Sequence, residues 1–228
     1  MSSKTGRILQ SLRLPSDCSI TTAYLVGSRL WGTVTPTSDY DLLIVVSDPP
    51  TTVRSKAELL KSQHSGNYDV TLLYESEFRE KVEEGSLIET ICCLLDSDDG
   101  SIVYAPEPNP HSARRQLIYA THLATLRSWA DARALRDLEK AAKFWGKGGS
   151  ARVNGWKILH HSLAAEAILR GLAEDIASCG SLRDVRLTTE RIQGMVAAGR
   201  RDEEQGWLGL DWEAVLGAYR KWLAEVAL

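Results

Sequence analysis

Two aspartates, Asp39 and Asp41, introduce an unbroken apolar run, Leu42–Val46, that is typical of a strand buried on both faces. A carboxylate without a partner is costly to bury, so we expect a cation beside them. Because successive side chains alternate between the faces of a strand, Asp39 and Asp41 share one face. Paired oxygen ligands at the mouth of a sheet suit a hard divalent ion such as Mg²⁺.

Gly27 and Ser28 end the apolar segment before these aspartates and supply groups that favour anions. A glycine allows the backbone to approach a phosphate closely, and N–H groups at such a turn attract negative charge. Ser28 adds a hydroxyl donor. Ten residues separate Ser28 from Asp39, which is room for a short helix and a turn at Pro36.

The pattern GS-x10-DYD between two apolar strands resembles the nucleotidyltransferase superfamily named after DNA polymerase β. The resemblance covers residues 19–47, and the sequence of this segment is most similar to the predicted minimal nucleotidyltransferases of bacteria and phages. Those families carry a third acid on a later strand, and Asp69 fits that position. The resemblance implies that Asp39, Asp41 and Asp69 are catalytic and bind two Mg²⁺ or Mn²⁺ ions.

The resemblance also implies a reaction. A nucleoside monophosphate would pass from an NTP, with ATP the expected donor, to a hydroxyl of a small molecule or a protein, and pyrophosphate would leave. Asp69 would help to deprotonate the acceptor. Gly27 and Ser28 would hold the β- and γ-phosphates. Arg29 would neutralise phosphate charge or, as an alternative, form an ion pair on the helix surface.

A further nucleotide contact is implied in the second half of the chain. The minimal nucleotidyltransferases carry a helix with a Lys, then a His and often an Arg. Lys157 and His161 match the first two and lie four residues apart, so they share a helix face. Ser162, Leu163 and Ala164 follow instead of the Arg, and the alternative for this pair is a solvated helix face.

The fold class we predict is α+β with two domains. All seven prolines lie at or before Pro110, and beyond it the sequence is rich in helix-forming Ala, Leu, Arg and Glu. We predict a nucleotidyltransferase domain over residues 1–108, with a mixed β-sheet flanked by helices, and an all-α helical-bundle domain over 111–228. The segment APEPNP, 105–110, would be an extended linker.

The patterns predict individual elements as well. Strands are expected at about 20–26, 40–47, 68–74 and 101–104, with a turn at 64–67. Helices are expected at about 4–13, 29–33, 52–62, 76–84, 87–95, 112–130, 132–145, 152–177, 189–199 and 211–227, the last capped by Asp211.

Composition limits the partners. The chain has 228 residues, a net charge of −3 and a pI near 6.0, which gives no general reason to expect a long nucleic acid, although a local basic groove would still allow RNA. No segment has the apolar length of a membrane helix or a signal peptide. The four cysteines lack metal-ligand spacing, and reduced thiols in a cytoplasmic protein are expected.

Two other functions stay open. An enzyme that adds nucleotides to an RNA 3′ end would need a basic, aromatic-bearing groove, which the sequence does not display. A nucleotide-binding regulatory module, such as the antitoxin half of a toxin pair, would bind a triphosphate with little turnover. A degenerate, inactive member of the fold is less favoured because all three acids are present.

Overall fold

A five-stranded mixed sheet carries the first part of the chain. The strands are β1 (Ile20–Val26), β2 (Tyr40–Val46), β3 (Ser62–Ser65), β4 (Tyr68–Tyr74) and β5 (Ile102–Tyr104), in the order β3-β4-β2-β1-β5. β2 and β4 run parallel, and the other neighbours are antiparallel. The computed structural model describes residues 8–10, 12–14, 17–36, 38–49, 62–65, 67–106, 110–198 and 207–226.

Helices flank the sheet and then continue alone. They are α1 (Gly27–Trp31), α2 (Glu75–Glu83), α3 (Leu87–Leu94), α4 (His111–Arg114), α5 (Leu123–Lys147), α6 (Ala151–Cys179), α7 (Thr189–Ala198) and α8 (Trp212–Val226), with a 3-10 helix at Arg115–Ala120. The predicted α+β class, a mixed sheet with helices followed by long helices, is confirmed. Within the described ranges, no helix combines the length and apolar character that crossing a bilayer requires.

Two local predictions were wrong. A turn was expected at 64–67, but His64 and Ser65 belong to β3, which pairs with β4 through its backbone. The polar SQHS segment forms this strand without the apolar alternation that would have predicted it. The two helices expected at 112–130 and 132–145 are a short α4, a 3-10 turn and then the single helix α5. No helix-breaking residue stands between 130 and 132, so α5 continues.

Other predictions fall partly outside the described residues. The helix expected at 52–62 lies outside the described residues, apart from Ser62, which belongs to β3. Of the helix expected at 4–13, residues 8–10 are helical and residues 12–14 are not. Leu9 packs with Leu42 and Val70 on one face of the sheet, as expected for a helix that covers it.

The sheet is buried on both faces, as the apolar run of β2 predicts. One face packs against the helices that follow the strands, and its core residues are Tyr24, Val26, Leu43, Val45 and Leu73. The opposite face forms a separate cluster of Ala23, Leu42, Ile44, Val46, Val70 and Leu72. Asp41 and Asp69 alternate with the second set, so they belong to the face that the later helices cover.

The largest core cluster joins the sheet region to the long helices. It combines Leu30 and Trp31 of α1 with Ile168 and Leu172 of α6 and Met195 of α7. Burial of this shared apolar surface holds the two parts of the chain together. The division at residues 108–111 therefore stays a prediction.

Most tryptophans pack in a second cluster, between α5, α6 and α8. The rings of Trp156 and Trp207 meet edge to face with centroids 4.8 Å apart. The aromatic members of this cluster are Trp145, Trp156, Trp207, Trp212, Tyr219 and Trp222.

Buried polar side chains fasten α4 to the sheet. Arg114 forms an ion pair with Glu75 at the start of α2 and donates to Thr21 Oγ1 at 2.6 Å. It also donates to Tyr24 Oη at 3.3 Å. His111 Nε2 lies 2.7 Å from the Leu95 carbonyl oxygen, so this nitrogen carries the proton, and Nδ1 accepts from Tyr24 Oη at 3.2 Å. Desolvation lowers the pKa of His111, in accord with a neutral ring.

Candidate active site

The Gly-Ser pair and Asp41 are in direct contact. β1 ends at Val26, which lies opposite Asp41 in the antiparallel register, and Gly27 follows with a φ of 65°. A Cβ at Gly27 would lie 1.9 Å from Asp41 Oδ2, so only glycine fits both the backbone and the carboxylate. The backbone N–H of Ser28 donates a hydrogen bond to Asp41. Gly27 and Ser28 therefore orient this carboxylate.

Three carboxylates collect around this turn. Asp41 of β2 and Asp69 of β4 are partners in the parallel register, and Asp39 precedes β2 by one residue. Burial, followed by the negative charges of Asp69 and Asp39, raises the pKa of Asp41 above its usual value. The hydrogen bond from Ser28 and the charge of Arg29 offset only part of that increase. The cluster therefore carries an excess of negative charge.

Arg29 braces the loop that leads into β2. Its guanidinium donates to the carbonyl oxygens of Ser38 at 3.1 Å and Asp39 at 3.3 Å, and it lies 3.5 Å from the ring centroid of Tyr40. The Tyr40 ring stacks in turn on Tyr68, with centroids 4.8 Å apart. The guanidinium thus holds backbone carbonyls, and its contact with phosphate stays a prediction.

Lys157 and His161 share a face of α6 with Ala165, which contacts the core cluster around α1. They are followed at the same four-residue spacing by Ala165, which packs against the cluster that contains Leu30 and Trp31. Both side chains are exposed. The charged neighbours of His161 belong to α5 and α6, and Lys157 is one of them. Contact of this pair with a nucleotide stays a prediction.

His161 is neutral at physiological pH. Desolvation, followed by the positive charges of His160, Arg133 and Lys157, lowers the pKa of His161 to about 4. The side chain is exposed, but nearby protein atoms and the surrounding positive charges both disfavour the charged ring. At pH 7 the ring therefore offers a hydrogen bond and no charge.

Comparison with known proteins identifies the region that carries the carboxylates. Residues 6–93 match the family described as the nucleotidyltransferase domain. This part of the chain is therefore similar to a nucleotidyltransferase domain. Among curated proteins, none matches the chain.

One solved structure shows a weak similarity to the whole chain. It is a nucleotidyltransferase-like protein from Exiguobacterium sibiricum, 12% identical, with a TM-score of 0.33. The alignment covers 99% of this chain and 73% of that one. A likeness this weak carries no inference about the present chain.

The side chains of the nucleotidyltransferase domain fit a hard divalent cation. Asp39, Asp41 and Asp69 offer carboxylate oxygens, which Mg²⁺ and Mn²⁺ prefer, and a cation would offset the burial and the repulsion that together raise the pKa of Asp41. Among the described residues, no three acidic, histidine or cysteine side chains already form a complete ligand group. The carboxylates are therefore neighbours that a cation would draw together.

Two residues outside the nucleotidyltransferase domain support it, and the sequence did not reveal them. Gln193 of α7 contacts α1, 164 residues earlier in the chain. Asp99, which lies between α3 and β5, accepts two hydrogen bonds from Thr189 at the start of α7. Both contacts join residues that are far apart in the sequence, so neither produces a local sequence pattern from which it could be predicted.

Proposed function

We propose that the chain moves a nucleoside monophosphate from an NTP, with ATP as donor, to a hydroxyl of a small molecule or a protein and releases pyrophosphate. The observation that carries this proposal is the contact between Asp41 and the Gly27–Ser28 turn beside Asp69. Negative carboxylates and a tight backbone turn meet at one sheet end, and an NTP with divalent cations needs both.

Each residue has a role in this proposal. Asp39, Asp41 and Asp69 would hold two Mg²⁺ or Mn²⁺ ions, which would stabilise charge on the phosphate oxygens during an in-line displacement. Asp69 would also take the proton of the acceptor hydroxyl. Gly27 lets the phosphates approach the backbone. Because the Ser28 amide already binds Asp41, the phosphate contact of Ser28 falls to its hydroxyl.

Arg29, Lys157 and His161 complete the nucleotide site. Arg29 keeps the loop before β2 in place, and its positive charge acts on Asp41 and would act on the phosphates that the bound cations hold. Lys157 would pair with the triphosphate, and His161, neutral at pH 7, would donate or accept a hydrogen bond. This role requires the N-terminal half of α6 to border the nucleotide.

The test is a transfer assay with every donor and acceptor class. The protein is incubated with each α-labelled NTP and Mg²⁺ or Mn²⁺, in separate reactions with tRNA, a metabolite extract and candidate proteins. Label on a metabolite or protein supports the proposal. Label on RNA favours 3′-end addition, and metal-dependent NTP binding without transfer to any acceptor favours a regulatory module.

Lys157 is tested by binding. Lys157→Ala should weaken NTP binding about tenfold, the loss expected for a charge-assisted contact. Lys143→Ala, an exposed lysine of α5, is the matched control and should bind as the wild type does. Equal affinity in all three proteins would assign Lys157 to the solvated helix surface.

A further inference from the structure

Gln193 of α7 grips the end of α1. Its Nε2 donates to the backbone carbonyl oxygen of Arg29 at 3.0 Å. Its side-chain carbons pack against Gly32, where a Cβ would lie 2.9 Å from Gln193 Cγ. Gly32 ends α1 with a φ of 73°, so the glycine serves both the helix end and the close approach of Gln193.

α1 needs such support because it has only five residues. A helix this short does not persist without tertiary contacts. Yet it carries the Ser28 amide that binds Asp41 and the Arg29 side chain that binds the Asp39 carbonyl. Movement of α1 would therefore move both carboxylates that open β2.

α7 is itself anchored to the sheet, one turn before Gln193. Asp99 Oδ2 accepts from the Thr189 backbone N–H at 2.7 Å, and Asp99 Oδ1 accepts from Thr189 Oγ1 at 2.7 Å. Ser101 Oγ lies 2.6 Å from Thr189 Oγ1, and the Ser101 carbonyl accepts from Leu25 of β1 at 2.7 Å. The start of α7 is thus tied to the strand that leads into α1.

We propose that Gln193 is a positioning residue for the carboxylate site. It fixes the C-terminal end of α1, and through Ser28 and Arg29 it sets the positions of Asp41 and Asp39. The inference rests on the proposed function only in taking these carboxylates as the ligands of the reaction. Gln193 itself touches neither the carboxylates nor the space between them.

The first test separates the hydrogen bond from packing. Gln193→Met keeps a flexible chain against Gly32 but removes the donor to the Arg29 carbonyl. Amide hydrogen exchange of residues 28–35 should become about fivefold faster, the change expected when one hydrogen bond is lost. Exchange in α2 should stay the same.

Gly194→Ala is the matched control for this test. A Cβ at Gly194 meets nothing within 4 Å, and the residue adjoins Gln193 in the same helix. Its exchange over residues 28–35 should equal that of the wild type. Unchanged exchange in Gln193→Met, or an equal increase in every segment of that variant, would overturn the proposal.

The second test measures the carboxylates directly. Mn²⁺ binding to the nucleotide-free protein should be about tenfold weaker in Gln193→Met, with the thermal midpoint unchanged, because supporting contacts tune metal affinity. Wild-type affinity in the variant would overturn the proposal. If the wild type transfers no nucleotide to any acceptor while both changes appear, the proposed function falls and the role of Gln193 stands.

Discussion

Charged side chains cluster at both ends of the sheet, but at one end they repel one another and at the other they form an ion pair. Where β1 ends, Asp39, Asp41 and Asp69 lie near one another, and burial, followed by the negative charges of Asp69 and Asp39, raises the pKa of Asp41. At the other end, Arg114 pairs with Glu75, and hydrogen bonds to Thr21 and Tyr24 satisfy the rest of its guanidinium.

The difference separates architecture from binding. A charge whose partner comes from the same chain fixes an element, as Arg114 fixes α4 on the sheet. Charges of one sign that are held close together repel one another, and a ligand of opposite sign that binds between them removes this repulsion. Such a cluster beside a glycine turn therefore favours binding. Burial works to lower the pKa of Arg114, but the hydrogen bond and charge of Glu75 raise it on balance, the reverse of the imbalance at Asp41.

The largest expected effect is on transfer at the carboxylate end. Asp41→Asn keeps the shape and the acceptor for the Ser28 amide but removes the charge that a cation needs. The rate should fall by at least about 10³-fold, with the far-ultraviolet circular dichroism unchanged. Asp98→Asn, in an exposed turn, is the control and should retain the wild-type rate. A rate for Asp41→Asn within tenfold of the wild type would remove Asp41 from the site.

The paired end should respond in stability. Arg114 is 4% exposed and Glu75 30%, so Arg114→Met leaves a partly buried carboxylate and Thr21 without their cation. The free energy of unfolding, measured in urea, should fall by about 2–4 kcal/mol. Arg170→Met, in an exposed pair with Glu174, should cost less than about 1 kcal/mol. Equal losses in the two variants would erase the contrast between the ends.

A smaller effect, with a defined pH dependence, should distinguish Asp41. Its folded-state pKa is raised, so its ionisation opposes folding, and this cost appears only as pH rises above the unfolded carboxyl pKa. Without metal at pH 7, Asp41→Asn should be more stable than the wild type by a few tenths to about 1 kcal/mol. The gap should close as pH falls toward about 3.

Metal should reverse that order. We expect Mn²⁺ to stabilise the wild type, because it should bind the folded protein and not the unfolded chain, and to leave Asp41→Asn nearly unchanged. Urea unfolding at pH 7 with and without Mn²⁺ measures both effects. A metal-free Asp41→Asn protein that is less stable than the wild type would contradict the repulsion between the carboxylates.

The elements around the site were predictable because local pattern and tertiary role agree there. The apolar runs before Gly27 and after Asp41 gave β1 and β2, and the alternation around Asp69 gave β4 with its bounds. The Gly-Ser spacing anticipated α1 to within two residues. Asp211 caps α8 as predicted, with its Oδ1 accepting from the Ala214 N–H at 2.9 Å.

The failures share a cause. β3 is held by backbone pairing to β4, which its polar side chains do not encode. Arg114 and His111 follow a proline-rich segment that reads as a linker, and their burial depends on Glu75 and Tyr24, which lie far away in sequence. Neither contact has a periodicity or spacing that one chain displays.

The sequence alone determined the chemistry available at the sheet end, because a glycine, a hydroxyl and three carboxylates at strand boundaries keep their types and spacing whatever surrounds them. The tertiary structure decided how those groups are held: Ser28 against Asp41, Arg29 over Tyr40, and α7 behind α1 through Gln193. The physical reason is that residue type fixes which bonds a side chain can form, whereas its partner depends on which distant segments the burial of a shared core brings together.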